Sequence, residues 1–510
     1  MEEAARTRIQ AASRLEESER MNAILKRQAR PWPQRYAVFA KLDSGMIHED
    51  GTIIRWDDRA DLQLVLDLAA AEEWAEKIPQ IVYIVGGWDA KSLPATEWFT
   101  APEGWTRRPG YNRDPLIAVY KSEAGQKITL YSTAQWFGSC DNASLCRRAY
   151  TRLRELLRSS FDPGADLLGT PARTGLDLLA RSLPRNSAGT PYEYPVLDPE
   201  FREVIEHNVG QGRMEFLPPL GPWSDRLYIL DATWMYAACV RHMPAPPIEH
   251  DTSSEFAGYR CAFYRVEFSP AEGWQHIGLL PTWDRQAKKT IYPIAPGVYP
   301  AIVSGEELRL AHENGWQITI LERWLFAEDR AANADPTRTW AEQLRMLRGA
   351  CTDKREGKAG PLLRSALRAL LIKAVGGLHR KGRMQQVETP HERAEEVDPE
   401  GVLEITPTVI RWERPIPLAP EMAAFNHPEW AALVWCRARA RLAKAALTLP
   451  RESIVALRSD AIVTTCDPGW KDDGRPGIFR LKAWVDLADQ GVPRDERSYR
   501  KLLKGVEDHG

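Results

Sequence analysis

The chain lacks the features that would assign it to a class at once. Its seven cysteines are scattered without a C-x-x-C pair, so we expect neither a zinc site nor a disulfide framework. No apolar run is long enough to cross a membrane, and the charged N-terminus predicts no signal peptide, so we expect a cytoplasmic protein. The net charge of −2 gives no global basic field for nucleic acid, although 68 Lys and Arg residues allow a local basic channel.

What is present is a long chain of ordinary globular composition. With 510 residues one hydrophobic core is not enough, and two to four domains are expected. Strands and helices alternate up to about residue 185, which predicts an α/β domain in which 36–43 pairs with 52–56 as a hairpin. A mixture of short strands, turns and helices follows a linker at 183–191, and 382–425 reads as loop-rich and mobile.

The stretch 226–238 carries the first candidate site residue. Four mostly apolar residues predict a buried strand that ends in Asp231, and Tyr236 follows at a tight turn into a helix. A carboxylate at the exit of a buried strand is costly unless it is paired or binds a metal. The alternative is an Asp that only caps the following helix.

A second carboxylate, Asp460, lies at the predicted tip of the apolar hairpin 453–464. The alternative role is that of a turn former in a type I′ turn. If the fold brings Asp231 and Asp460 together, the two charges repel unless a divalent cation neutralises them. Hard oxygen ligands suit Mg²⁺, and two such ions are the arrangement used for in-line phosphoryl transfer.

Two basic helices lie near or between these acids. In the helix 361–375, Arg364 and Arg368 are four residues apart and share a face that suits a triphosphate, whereas Lys373 lies off that face. The alternative is a solvated cationic face. The helix 427–448 carries four further cations that either track backbone phosphates or face solvent, namely Arg437, Arg439, Arg441 and Lys444.

In their order, these motifs resemble those of family B DNA polymerases, most closely the protein-primed branch of phages and linear plasmids. The family's Asp-x-x-Ser-Leu-Tyr-Pro matches 231–237, where Trp234 and Ala237 replace the Ser and the Pro. Its Lys-x-x-x-Asn-Ser-x-Tyr-Gly matches the helix, with Arg368 at the Lys and Gly376 at the Gly. Its hairpin Tyr-x-Asp-Thr-Asp-Ser matches 456–461, where the second Asp is kept and the first has become Arg458.

The resemblance implies a multidomain α/β and α+β protein with a polymerase right hand. It divides the chain into a helical arm (1–30), an RNase H-like exonuclease-type domain (31–185), the first half of the palm with an insertion (186–340), the fingers (341–380), an insertion or loop region (381–426), the second half of the palm (427–475) and a short thumb (476–510). The exonuclease-type domain is expected to be inactive, because Ala40 and Leu42 stand where its first strand needs acids and Arg154 follows Tyr150 where an Asp is needed.

The resemblance also implies roles for individual residues. Asp231, Asp460 and the carbonyl of Ala232 would hold two Mg²⁺ or Mn²⁺ ions. The incoming nucleotide would be bound by Tyr236, which excludes a 2′-hydroxyl, and by Arg364, Arg368 and Lys373. Template-primer DNA would be bound by Gly210, Gly212, Arg213, Lys482 and Trp484.

The expected function is therefore DNA-directed DNA synthesis in phage or linear-plasmid replication. Deoxynucleotides would be added to a 3′-hydroxyl or to the hydroxyl of a terminal protein primer. Two alternatives remain open. One is a degenerate polymerase that only binds DNA or assists assembly, since several motif residues have changed. The other is an unrelated metal-dependent nuclease, in which Asp231 and Asp460 need not be neighbours.

Overall fold

A computed structural model describes most of the chain. The described residues are 36–58, 60–71, 80–86, 101–107, 117–185, 197, 199–206, 212–217, 223–244, 248–258, 261–284, 286–287, 289–326, 335–379, 383–397, 401–416, 426–471, 475–493 and 495–507. The helical arm predicted at 1–30 lies outside them. Within these ranges, every helix is either too short or too polar to cross a membrane.

The N-terminal part of the chain folds around a seven-stranded mixed sheet with the order β3-β2-β1-β4-β7-β6-β5. The strands are β1 (Tyr36–Lys41), β2 (Gly45–His48), β3 (Ile53–Arg55), β4 (Gln80–Ile84), β5 (Trp105–Arg107), β6 (Ile117–Ser122) and β7 (Lys127–Ser132). The central strands β1, β4 and β7 run parallel, and their neighbours on both sides are antiparallel.

One predicted strand pair in this sheet is wrong. The segment 53–55 does not pair with β1, because β2 lies between them and pairs with both. The chain turns back early, at 42–44, and Gly45 at the start of β2 has a φ of +143°. A Cβ at this position would lie 2.4 Å from the carbonyl oxygen of Ile54, so only glycine allows the two strands to approach this closely.

Helices cover both faces of the N-terminal sheet. They are α1 (Leu62–Ala69), α2 (Ala134–Phe137), α3 (Ala143–Ser160) and α4 (Pro171–Ser182). Because strand side chains alternate, Val38 and Ala40 pack on one face with α1, whereas Phe39 packs on the other with α3. The α/β character predicted for this part of the chain is confirmed.

The rest of the described chain contains four more sheets. Their strands are β8 (Met214–Phe216), β9 (Arg226–Ala232), β10 (Ile248–Asp251), β11 (Ala262–Ser269), β12 (Thr282–Asp284), β13 (Lys289–Ile291), β14 (Tyr299–Ser304), β15 (Gln317–Phe326), β16 (Arg383–Pro390), β17 (Val402–Ile405), β18 (Val409–Ile416), β19 (Ile454–Arg458), β20 (Ala461–Thr464) and β21 (Phe479–Asp486). The sheet orders are β10-β15-β11-β14, β12-β13, β16-β18-β17 and β21-β9-β20-β19-β8.

Helices of this region pack on both faces of the five-stranded sheet. They are α5 (Pro199–Glu206), α6 (Met235–Cys239), α7 (Gly305–Glu313), α8 (Arg338–Ala350), α9 (Asp353–Glu356), α10 (Gly360–Gly377), α11 (Pro428–Ala446), α12 (Leu487–Gln490) and α13 (Glu496–Glu507). Leu230 of β9 shares a core with α10 and α11, whereas Leu227, on the opposite face, packs with Tyr499 of α13. Helix α10 also packs against α4, so it joins the N-terminal sheet to this region.

The segment predicted to be loop-rich contains an antiparallel sheet, so that prediction is wrong for its described residues. Strands β16 and β17 flank β18 within 383–416. Trp412 is 8% exposed, and its indole N–H donates to the hydroxyl of Thr389 at 2.8 Å. Cross-strand ion pairs join Arg411 to Glu388 and Glu404. Because these positions are charged, the segment lacks the apolar alternation that normally predicts strands.

Candidate functional site

Strand β9 and the hairpin β19–β20 bring the two predicted carboxylates to neighbouring strands. Asp231 pairs directly with Ala461, and the residue before Ala461 is Asp460. The N–H of Ala232 donates to the carbonyl of Asp460 at 2.9 Å, which fixes the hairpin tip against the end of β9. Directly opposed residues, here Asp231 and Ala461, have Cβ atoms about 4.5–5.5 Å apart, and Asp460 is the next residue along the hairpin. The two acids therefore share one corner of the sheet despite their distance in sequence.

The electrostatics of this corner follow from its burial. Burial raises the pKa of Asp460 above its ordinary value, and the charge of Asp231 raises it further. The cations Arg368 and Lys482 act in the opposite direction. The Nζ atom of Lys482 lies 4.0 Å from Oδ1 of Asp231. Two interacting carboxylates with cations on their flanks form a site that stabilises a bound cation or a phosphate ligand.

The hairpin tip is a two-residue turn, Ser459–Asp460, held by the segment before β8. Ser459 has a φ of +47°, and Asp460 is not in that region, so the turn is not the type I′ turn considered from the sequence. The N–H of Ser459 donates to the carbonyl of Arg213 at 2.7 Å. A Cβ at Gly212 would lie 3.0 Å from Oγ of Ser459. A larger residue at position 212 would therefore crowd the hairpin tip.

Arg213 is not presented to solvent. It is 1% exposed, pairs with Glu215, and its Cζ lies 4.1 Å from the ring centre of Tyr292. The sequence placed Gly210, Gly212 and Arg213 in a DNA contact. Gly210 lies outside the described residues. Gly212 and Arg213 contact the tip of the hairpin β19–β20, and their contact with DNA stays a prediction.

Tyr236 lies at the base of a cleft beside the acids. The cleft is lined by Trp234, Met235, Tyr236, Ala237, Arg368, Leu371, Ile372 and Asp460. The Tyr236 ring is 8% exposed and meets Trp435 edge-to-face at 5.2 Å, and its side chain is hydrogen-bonded to Ser459. Burial raises the pKa of Tyr236, and the neighbouring charge of Asp460 adds to the effect. The phenol is therefore a neutral, fixed wall of the cleft.

Of the three cations predicted on α10, one reaches this cleft. Arg368 is exposed and lines it. Arg364 donates to the carbonyl of Cys351 and to the carboxylate of Asp353, both at 2.8 Å, so its guanidinium joins α10 to the segment from the end of α8 to the start of α9. Lys373 is exposed and lies outside the lining. Arg364 and Arg368 thus differ in their surroundings, because a local carboxylate engages the first, and the contact of Arg364 and Lys373 with a triphosphate stays a prediction.

Strand β21 presents the predicted Lys482 and Trp484. Lys482 is the extra residue in an irregularity between Leu481 and Ala483, and such a bulge re-aims a side chain, here toward Asp231. Trp484 is 50% exposed, and the Cζ atom of Arg226 lies 4.4 Å from its ring centre.

Asp231 belongs to one row of paired residues that crosses all five strands. The row consists of Arg480, Asp231, Ala461, Arg458 and Met214. Paired residues share a face of the sheet, so two arginines flank the acid, one directly beside it and one beyond Ala461. Arg458, where the resembling family has a carboxylate, thus gives this row a basic character.

The donor set of the corner fits a divalent cation. Mg²⁺ is commonly bound by one or two carboxylates together with substrate phosphates and water. Asp231 and Asp460 supply two carboxylates here; among the described residues, neither this corner nor any other place has a group of three or more His, Cys, Asp or Glu suited to a metal. The side chain of Ala232 is 2% exposed, and the part predicted for its carbonyl stays a prediction.

The basic helix 427–448 fits neither interpretation of its first two arginines. Arg437 pairs with Glu306 and donates to the carbonyls of Cys239 and Arg241 at the end of α6. Arg439 pairs with Glu307, and both side chains are at most 2% exposed. These arginines join α11 to α7 and face neither phosphates nor solvent.

The position expected for an exonuclease site contains a buried ion pair. Ala40 is fully buried in the core beside α1. Arg154 is 4% exposed, its Nε lies 2.7 Å from Asp166, and it also pairs with Glu49. Two acids in this region are thus engaged by a guanidinium. Of the other acids considered from the sequence, Asp89 and Glu97 lie outside the described residues, whereas Asp43 and Asp141 are exposed.

The fold that carries this site is similar to that of a DNA polymerase. Similar solved structures include two complexes of Phi29 DNA polymerase. The post-translocation binary complex with primer-template DNA superposes with a TM-score of 0.53, and the ternary complex with primer-template DNA and incoming nucleotide with 0.50. In both comparisons the identity is 10%, and the match covers 89% of this chain and 85% of the polymerase. No protein-family model and no curated protein sequence matches the chain.

Proposed function

We propose that the chain is a DNA-directed DNA polymerase that transfers deoxynucleotides onto a primer hydroxyl. The observation that carries the proposal is the pairing of Asp231 beside Asp460 on adjacent strands, at a cleft lined by Arg368 and Tyr236. The polymerase-like fold supports it. A nuclease whose motifs match by chance would not require these four side chains at one corner.

Different residues of the chain would bind the cations and the phosphates. Asp231 and Asp460 would hold Mg²⁺ or Mn²⁺, predicted from the sequence to be two ions, with help from the carbonyl of Ala232. A bound divalent cation lowers the pKa of the attacking hydroxyl and neutralises the phosphates. Arg368 binds the triphosphate and stabilises charge on the leaving pyrophosphate.

The remaining residues orient the substrates. Tyr236 forms the wall against which the sugar lies and excludes a 2′-hydroxyl. Lys482 contacts the primer end, and the half-exposed Trp484 lies further along the same strand. Arg364 and Lys373 act more remotely on the nucleotide. The primer is either a DNA 3′-hydroxyl or a hydroxyl of a terminal protein, as the resemblance to protein-primed enzymes suggests.

Substitution of the two acids tests the proposal directly. We expect Asp231→Asn and Asp460→Asn each to reduce primer extension by at least about 10³-fold, because each removes a charge that holds the cation. Asp225→Asn is the matched control, since Asp225 is exposed just before the same strand. Extension by both site variants at the wild-type rate would contradict the proposal.

A second candidate is a polymerase-like protein that binds DNA without catalysis. The observation that favours it is Arg458, which brings a cation to the row where the resembling family has an acid. This candidate predicts no extension by the wild type and no Mg²⁺-dependent binding of deoxynucleotides. Equilibrium binding of a deoxynucleoside triphosphate with and without Mg²⁺ separates the two.

A further inference from the structure

Trp234 is the residue of the cleft that the proposed chemistry leaves unexplained. It stands at the turn between β9 and α6, where the resembling family has a small serine. Its backbone φ is +51°, in the left-handed region that a bulky residue rarely adopts. Such local strain is concentrated at ligand sites. The surrounding structure therefore holds this ring in place against its own backbone preference.

The indole N–H of Trp234 is buried without an acceptor. The residue is 9% exposed, and its Nε1 makes no hydrogen bond to any described residue. Buried tryptophan N–H groups normally find a partner, because an unmade hydrogen bond leaves the cost of desolvation uncompensated. The indole is a donor only, so the partner it lacks is an acceptor.

The charges around the indole indicate what kind of acceptor fits. The Cζ atom of Arg348, on α8, lies 4.3 Å from the Trp234 ring centre. Arg368, on α10, lines the same cleft. One guanidinium thus lies against the Trp234 ring and another lines the cleft beside it, and positive charge of this kind favours an anionic oxygen over a neutral one.

The size of the cleft limits the part of a ligand that enters. Its free space is about 230 Å³, and this figure already counts the open mouth of the cleft. The cleft is therefore too small to enclose a whole nucleotide, and Arg368 on its wall favours the anionic phosphate end.

We propose that Trp234 is a phosphate-binding residue whose Nε1–H donates a hydrogen bond to the triphosphate of the incoming nucleotide. Arg348 fixes the plane of the indole and adds positive charge behind it. This inference rests on the proposed function, because it assumes that the cleft binds a nucleotide.

The test separates the triphosphate from the rest of the nucleotide. The variant is Trp234→Phe, which keeps an aromatic ring beneath Arg348 and removes the N–H. We expect equilibrium binding of a deoxynucleoside triphosphate and of inorganic tripolyphosphate to weaken about tenfold each, as for the loss of one hydrogen bond to a charged group. Binding of a deoxynucleoside without phosphates stays unchanged. In extension assays KM for the nucleotide rises, whereas kcat changes little.

A control variant and a second test variant make the outcome specific. Trp283→Phe, at a tryptophan that is 47% exposed on β12, leaves both affinities unchanged. Arg348→Met keeps the indole and removes the stacked cation, so it also weakens tripolyphosphate binding, and it replaces Trp234→Phe if that variant does not fold. Unchanged tripolyphosphate binding in Trp234→Phe and Arg348→Met would overturn the inference, as would weakened binding of the deoxynucleoside alone. Failure of the proposed function is recognised separately, by primer extension at the wild-type rate in both Asp231→Asn and Asp460→Asn.

Discussion

His276 shows at the scale of one residue how a half-buried side chain links stability to pH. Its Nε2 lies 3.0 Å from the carbonyl oxygen of Leu449, and its Nδ1 accepts the N–H of Ile277 at 2.9 Å. The neutral ring with a proton on Nε2 satisfies both contacts. Burial, as the largest cause, lowers the pKa of His276. A second proton on Nδ1 would remove the acceptor that Ile277 uses.

The sign of the pH dependence follows from the lowered pKa. In the unfolded chain a histidine titrates near 6.5, so below that pH the unfolded state binds a proton that the folded state does not. We expect the free energy of unfolding, measured with urea, to fall as the pH decreases below about 6.5. His276→Asn keeps a donor and an acceptor, does not titrate, and should lose this part of the slope. Parallel pH profiles of the variant and the wild type would contradict the assignment.

At this scale the sequence predicted the residues that end apolar strands and missed those whose partners are remote. Asp231 and Asp460 each follow a buried strand, and that pattern is local. The sequence assigned Arg213 to a DNA contact and Arg439 to backbone phosphates or solvent, because the residues that bury them, Tyr292 and Glu307, come from other segments. Local periodicity contains no signal for such pairings.

At the scale of elements, the contact between helices α4 and α10 limits the size of the residue at position 175. A Cβ at Gly175 of α4 would lie 2.2 Å from the carbonyl oxygen of Leu370 and 2.8 Å from Cβ of Ala374. The helices can approach this closely only through glycine. Leu370 is two residues from Arg368, so α4 sets the position of the cation that lines the cleft.

Enlarging this glycine should move α10. We expect Gly175→Ala to lower the free energy of unfolding by about 1–3 kcal/mol, as for other overpacked sites, and to raise KM for the nucleotide several-fold. Gly376→Ala is the control on α10 itself, since a Cβ there meets no atom within 4 Å, and it should be neutral or slightly stabilising. An unchanged KM in a Gly175→Ala protein of reduced stability would show that α4 does not position Arg368.

The elements themselves were largely predictable, with one instructive exception. Long helices such as 143–160 and 360–377 have apolar stripes and clear ends, and the structure confirms them. The sheet of 383–416 was missed because its exposed strands carry charges where core-facing strands carry apolar residues. The pairing of β2 between β1 and β3 was missed because it depends on a close approach at Gly45, which no periodicity reveals.

At the scale of the whole molecule, we expect the N-terminal sheet to contribute position and not chemistry. Its buried Arg154 engages Asp166 and Glu49, and Ala40 is enclosed in the core. We therefore expect no shortening of single-stranded DNA from its 3′ end, with Mg²⁺ or with Mn²⁺, by protein that extends primers. An end-labelled oligonucleotide measures this. Degradation that disappears in Asp43→Asn or Asp141→Asn would reveal an exonuclease site and refute the expectation.

The row of paired residues through Asp231 has a consequence for how the gene can vary in length. Side chains alternate along a strand, so one codon inserted or deleted between 226 and 231 would turn this carboxylate to the opposite face of the sheet. The same holds for 454–458 and 461–464, which pair with it in fixed register. Relatives that share the activity should therefore differ in length between these strands, and not within them.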